Sequence, residues 1–180
     1  MRVFISIEIY DESILKRIQT FQENLKIVAK PTRINQIHFT LQFLGEIDEK
    51  KCERVKVVLS KISFPKFKLS LKGVSGFPNL NNPRIIWVGT DKGSQKLSEI
   101  SKEIGMKLAT LGFKENKKFK PHLTIFRIKK KIGNISSLMQ ECETVEFGSE
   151  TVSKIKLKKS VLSPDGPEYS DLMEVNANGK

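Results

Sequence analysis

A chain of 180 residues and 20.5 kDa is enough for one domain, or two small lobes, burying roughly 70% of the surface its unfolded form exposes. With 38% apolar and 29% charged residues, it is neither disordered nor fibrous, and two cysteines, Cys52 and Cys142, exclude a disulfide framework or a cysteine-built zinc site. The excess of 32 Lys and Arg over 20 Asp and Glu leaves +12 and a pI of about 9.7, which favours an anionic partner such as nucleic acid, a phosphorylated small molecule or an acidic membrane face. No apolar run approaches about 18 residues, and the N-terminus turns acidic at Glu8 too early for a signal peptide. The expectation is a soluble cytoplasmic protein with no membrane partner.

The β-branched run Val3 to Ile9 predicts a strand, and Asp11 an N-cap. Ile14, Leu15, Ile18, Phe21, Leu25 and Val28 then recur at helical spacing and stop before Pro31. Gln36 to Phe43 alternates strictly and predicts a strand closed by Gly45, with Phe39 and Phe43 on its apolar side. Val55, Val58, Leu59 and Ile62 mark a second helix. Lys66 to Val74 reads as extended, Phe77 to Pro83 as a loop, and Arg84 to Gly89 as a strand. A third helix runs through Leu97, Ile100, Ile104, Leu108 and Leu111, with Gly112 as its stop. His122 to Ile128 is a strand, Lys129 to Lys131 a basic run, and Ser136 to Glu141 a short helix. Strands over 144–147, 152–162 and 169–175 follow, the last two joined as a hairpin by the turn Ser163-Pro164-Asp165-Gly166-Pro167. Strand–helix–strand order occurs around residues 1–45 and again around 84–128, so the fold class is α+β, with antiparallel or mixed sheet in two similar halves of one domain spanning 1–180.

The chain has only two histidines, and both open the same tetrapeptide: His38-Phe39-Thr40-Leu41 and His122-Leu123-Thr124-Ile125. With eight Thr among 180 residues, Thr two places after both histidines has a chance of roughly one in five hundred. Each motif also lies in the strand that follows a helix, which argues for internal duplication. On a strand, His and Thr share one face while the two apolar residues take the other and anchor the core. If the halves face each other, two imidazoles and two hydroxyls converge on one cleft. Two imidazoles can move protons to and from a phosphoryl centre together, and hydroxyls can donate to its non-bridging oxygens. A metal site is the weaker reading, because no His, Cys or carboxylate stands at ligand spacing from either histidine.

These motifs resemble those of the two-histidine phosphoesterases, and within them the LigT-like RNA 2′,3′-cyclic phosphodiesterases, also called 2′-5′ RNA ligases. The resemblance runs through Arg2-Val3-Phe4-Ile5, the block from His38 to Glu46, Pro83 to Trp87, Phe119 to Arg127, Ser160-Val161-Leu162, Gly166-Pro167 and Tyr169. It implies a bilobed fold around a central cleft, with one motif from each lobe. It also implies a metal- and cofactor-independent monomeric hydrolase that opens RNA 2′,3′-cyclic phosphate ends to 2′-phosphomonoesters, with tRNA halves among its substrates and 2′-5′ ligation as the reverse chemistry. By the resemblance, His38 is the proton donor, His122 the proton acceptor, and Thr40, Thr124 and Arg127 hold the phosphate. The duplication itself does not separate acid from base. Two alternatives are a phosphodiesterase for a small nucleotide, such as ADP-ribose 1″,2″-cyclic phosphate or a 2′-5′ oligoadenylate, and a non-catalytic RNA-binding module.

Strand alternation places Arg127 opposite His122, so it reaches the cleft only past a bulge or strand end. Many members of the family have Trp shortly before the first motif, where this chain has Arg33-Ile34-Asn35. Lys154, Lys156 and Lys158 line one strand face and, with Lys117, Lys118, Lys120 and Lys129 to Lys131, form either a track for RNA or an edge protected against pairing. Phe4, Phe126 and Tyr169 are candidates for stacking on bases.

Overall fold

The computed structural model describes residues 1–115, 119–164 and 166–178. Lys117, Lys118 and the turn residue Asp165 lie outside them. The order is β1 (Arg2–Glu8), α1 (Glu12–Asn24), β2 (Lys30–Pro31), a 3₁₀ turn (Ile34–Gln36), β3 (His38–Glu46), α2 (Glu49–Leu59), β4 (Phe67–Phe77), β5 (Ile85–Thr90), α3 (Ser94–Ala109), β6 (Leu123–Arg127), α4 (Ser136–Glu141), β7 (Glu146–Val152), β8 (Lys154–Ser163) and β9 (Gly166–Asn176). Among the described residues, nine strands make one sheet ordered β7-β4-β5-β6-β3-β1-β8-β9, with β2 added beside β6, and every named strand pair is antiparallel. No helix among them is long and apolar enough to cross a membrane.

Reading outward from the β3–β6 contact, the order is β3-β1-β8-β9 on one side and β6-β5-β4-β7 on the other. The helices cross over between the two sides. Helix α1 follows β1 but packs under β6 and β7: Phe21 meets Phe147 edge-on at 5.5 Å, and Ile14 lies against Gly148. Gly148 adopts φ +124, and a Cβ there would stand 3.0 Å from Ile14 Cγ1, so the close approach needs glycine. Helix α3 follows β5 yet packs on β3. Its buried face is Leu97, Ile100, Ile104 and Leu108, the positions its periodicity predicts. Each half therefore completes its core with a helix from the other half, which ties the two into one body.

Asp11 caps α1 as expected, accepting from the backbone N–H of Ser13 and Ile14, a cap worth about 1 kcal/mol. The helix ends at Asn24, not Val28, and Val28 is 81% exposed. Pro31 disfavours helix at Lys30, and the chain extends there instead to pair with β6 as the two-residue β2. Phe77 ends β4, so the loop begins later than the sequence suggests. Ser153 separates β7 from β8, which divides the strand expected over 152–162.

The strict alternation expected over Gln36 to Phe43 fails at one residue of β3, and the ladder shifts again beyond it at Leu44. In its pairing with β1, Ser6 faces Thr40 and Ile5 faces Gln42, so Leu41 is an extra residue, a β-bulge. The same break recurs in β6, where Trp87 faces Thr124 and Ile86 faces Phe126, leaving Ile125 extra. Both bulges fall on the last residue of the repeated tetrapeptide. Each bulged carbonyl accepts a hydrogen bond from the crossed-over helix of the other half: Ser101 Oγ donates to Leu41 O at 3.0 Å, and Gln22 Nε2 donates to Ile125 O at 2.7 Å.

Candidate active site

The two motifs meet in the middle of the sheet, where Phe39 pairs with Leu123. Continuing that antiparallel register by one residue each way sets His38 beside Thr124, and Thr40 beside His122. Phe39 and Leu123 are fully buried and anchor the strands, as the alternation predicts. His38, Thr40, His122 and Thr124 all line one cleft of about 620 Å³. Among the described residues, Arg2, Lys30, Arg33, Arg127 and Lys129 also line it, with no carboxylate. Among the same residues, no three His, Cys, Asp or Glu gather as a metal-holding group.

Both imidazoles are oriented in one way. His38 Nδ1 lies 2.7 Å from the carbonyl of Gln36, and His122 Nδ1 lies 2.7 Å from the carbonyl of Lys120, each two residues before its histidine. A carbonyl only accepts, so Nδ1 carries hydrogen in both rings and Nε2 is left for proton exchange. His38 Nε2 stands 3.1 Å from Thr40 Oγ1. Aromatic rings brace each imidazole: Phe4 and Tyr169 lie 5.0 and 5.4 Å from His38, Phe77 and Trp87 5.1 and 6.2 Å from His122. Lys120 Nζ sits over the Trp87 and Phe77 rings at 4.8 and 5.4 Å.

Burial governs the electrostatics. It drives the His38 pKa down to about 4, against the pull of the Gln36 carbonyl and Glu8 and with the help of Lys158 and Arg127. His122 is lowered for the same first reason, opposed by the Lys120 carbonyl and assisted by the Lys120 and Arg127 charges. The free protein thus holds both rings neutral at pH 7. An unfolded histidine takes up a proton near pH 6.5, whereas folded His38 resists until about 4, so stability must fall as pH drops through that window. The expected loss between pH 7 and pH 4.5 is about 2 kcal/mol, and urea midpoints at the two values should show it in the wild-type chain and far less in His38→Asn.

The bulge decides where Arg127 goes. Past Ile125 the parity of β6 flips, so Arg127 shares a face with Thr124 and lines the cleft with His122. The identical bulge in β3 puts Phe43, also five residues after its histidine, on the face of His38 and Thr40. Phe43 is therefore 73% exposed at the cleft and not a core residue, correcting the apolar-face reading. The duplicated spacing held the signal: whatever placed Arg127 after one motif had to place Phe43 after the other. Phe4 and Tyr169 pack on His38, while the register carries Arg127 past Thr124 and Phe43 past Thr40, and the Arg127 charge bears on His38, His122 and Tyr169 alike. Of the stacking candidates, Tyr169 and Phe4 line the cleft, while Phe126 is buried with its ring in the core. Arg33, from the segment Arg33-Ile34-Asn35, lines the cleft as well. The lysine row is corrected too: Lys154 pairs with Glu174, while Lys156 and Lys158 are largely buried between Glu8 and Asp171 and offer no open track.

Comparison with known proteins matches this geometry to one family. The family model described as the AKAP7 2′5′ RNA ligase-like domain matches residues 2–174. The chain is 41% identical over 179 residues to the RNA 2′,3′-cyclic phosphodiesterase of Methanocaldococcus jannaschii, covering 97% of this chain and 99% of that one. It is 36% identical over 174 residues to the enzyme of the same name from Archaeoglobus fulgidus, covering 96% and 98%. Among solved structures, a Thermus thermophilus protein superposes with TM-score 0.82 at 25% identity, covering 98% of this chain and 97% of the other. Apo E. coli LigT has the same fold, at TM-score 0.79 and 21% identity over 99% and 98%. With the paired motifs, the doubled bulge and full-length matches in agreement, the chain belongs to the 2′-5′ RNA ligase-like family of two-histidine phosphoesterases.

Proposed function

We propose that this protein is a metal-independent RNA 2′,3′-cyclic phosphodiesterase that opens cyclic phosphate ends to 2′-phosphomonoesters. The observation that carries the reading is the pair of imidazoles on one cation-lined cleft, each with Nδ1–H held by its own backbone so that Nε2 is the nitrogen left for proton exchange. His122 takes a proton from water as it attacks phosphorus, and His38 gives one to the departing 3′ oxygen. Thr40, Thr124 and Arg127 donate to the non-bridging oxygens, where charge builds in the transition state. The Phe4 and Tyr169 rings packed on His38 support this allocation. A base resting on the Tyr169 ring brings its ribose, and hence the 3′ oxygen that leaves, toward His38. The water then sits at the His122 end.

The arriving phosphate brings the missing proton within reach. Its negative charge offsets the desolvation that depresses the imidazoles and raises the donor toward protonation in the complex. Replacing water by a ribose 5′-hydroxyl breaks the same P–O3′ bond and forms a 2′-5′ linkage, so tRNA halves are candidate substrates for ligation as well. The same reading has residues 1–180 acting as a single pseudo-symmetric unit with one motif per half, as a monomer in the cytoplasm.

The test is ³¹P NMR of a short RNA ending in a 2′,3′-cyclic phosphate, incubated with the protein in EDTA. A 2′-phosphomonoester is expected. A 3′-phosphate would reverse the leaving-group assignment, and activity only with added divalent metal would overturn the metal-free mechanism. Salt separates RNA from a small cyclic nucleotide. With several cations on the backbone, log(kcat/KM) for an RNA should fall against log[salt] with a slope of about −2 or steeper. A slope no steeper than that of a mononucleotide would favour the small-substrate alternative.

A further inference from the structure

The sheet face that carries His38 and Thr40 continues across β1, β8 and β9. Paired residues of antiparallel strands share a face, so Glu8 stands beside His38, Ser6 beside Thr40, Lys156 beside Ser6 and Lys158 beside Phe4. Four charges on this face close a ring. Lys158 Nζ donates to Glu8 Oε1 and, at 2.6 Å, to Asp171 Oδ1; Lys156 Nζ reaches Glu8 Oε2 at 2.8 Å and Asp171 Oδ2 at 2.6 Å. The Tyr10 hydroxyl adds a donor to Glu8 Oε2 at 3.0 Å. Lys158 is 7% exposed, so water screens the Glu8–Lys158 side of the ring little, while Asp171 stands at an open corner.

Removing two ammonium groups and two carboxylates from water costs several kcal/mol per ion, and apolar residues of similar volume would close a sheet at least as stably. Stability is therefore a weak reason for the ring, and its place suggests a stronger one. We propose that the Glu8–Lys158–Asp171–Lys156 ring is a positioning element for His38: it fixes a carboxylate as the imidazole's cross-strand neighbour and balances it with two ammonium groups, so that the ring's charges adjust His38's hold on its proton around the level that burial sets. The inference rests on His38 acting as the donor, which must be protonated to work. Glu8 is kept ionised for the task. Burial would raise its pKa, but hydrogen bonds from Lys156 and Lys158 outweigh that and hold it below the ordinary carboxylate value. The other groups bearing on His38 are Arg127 from β6, Tyr169 from β9 and the Gln36 carbonyl. Against these, the ring supplies both signs of charge.

The test reads His38 directly, by NMR titration of its ring in the full-length free protein, with His122→Asn to assign the signals. Glu8→Gln leaves the ring net positive and should lower the His38 pKa by about half a unit or more; Lys158→Met leaves it net negative and should raise it by a similar amount. Asp171→Asn, at the more exposed corner, should shift it downward and less, and serves as the sign test if Glu8→Gln does not fold. The double variant Glu8→Gln/Lys158→Met should return close to wild type. The alkaline limb of kcat should move with each shift. Shifts of one sign in all variants, no shift, or equal movement of His122 would overturn the proposal and reduce the ring to packing. Since no substrate is present in the titration, absence of turnover would count against the phosphodiesterase reading and leave this test intact.

Discussion

His38→Ala and His122→Ala should each lower turnover of a 2′,3′-cyclic phosphate RNA by at least about 10²-fold, with RNA affinity almost unchanged. The expectation follows from what each ring contributes. Both are neutral in the free protein, so removing one takes away no charge that holds the RNA backbone. What is lost is a proton acceptor or donor at the reacting oxygen, a contribution realised only in the transition state. If the two rings act in one concerted step, the double variant should be little worse than either single one. Rapid-quench single-turnover rates, paired with binding measured on the wild-type chain and both variants, decide the point. Near-normal rates in either variant would remove the two-histidine mechanism.

The same rings set the pH profile. With His38 near 4 and His122 below its ordinary value, the free protein places the optimum of kcat/KM on the acid side of the range for two unperturbed imidazoles. The range in which the donor is protonated and the acceptor unprotonated together is centred below pH 6.5. The kcat profile reports the complex, in which phosphate raises the donor, so its optimum should lie at higher pH. Coincident optima would mean that substrate does not supply the electrostatic shift.

Arg127→Met should cost about 10²-fold in kcat/KM, carried mainly by kcat, whereas Phe43→Ala should raise KM about tenfold and leave kcat nearly intact. The two residues occupy the same register position after the same bulge, one in each half, so the comparison holds backbone context constant. A guanidinium near the phosphoryl group meets charge that grows in the transition state. An aromatic face meets a nucleobase equally in ground and transition states, which is uniform binding. A substrate without a base should accordingly be insensitive to Phe43→Ala and remain sensitive to Arg127→Met. If Phe43→Ala lowered kcat and Arg127→Met only raised KM, the roles given to these two residues would exchange.

Several of these residues were readable without a structure, and the reason is repetition. The tetrapeptide at His38 recurs at His122, so a period-2 argument made twice gives the same inward pair and the same anchoring pair. Helical periodicity likewise gave α3 and its buried face, because a pattern sustained over four turns outweighs local ambiguity. Phe43 was misplaced for a definite cause. Alternation assumes an unbroken ladder, and one extra residue at Leu41 flips everything after it. The bulge has no local signature in the sequence, since the group that accommodates its carbonyl is Ser101, sixty residues away.

The lysine row was misread for a related reason. Lys156 and Lys158 alternate as an exposed strand would, but their partners are Glu8, on the first strand, and Asp171, on the last. Charge spacing reveals which face a lysine occupies and not what covers that face. From the sequence alone come the repeated His–Thr pair, the α+β class and the cationic excess, because side-chain chemistry and short-range periodicity are local properties. Tertiary structure alone decided the crossing of the helices, the paired bulges, the mixed aromatic and cationic lining of the cleft and the ion ring beside His38. Each depends on strand pairing between segments far apart in the chain, where a one-residue change of register exchanges buried for exposed.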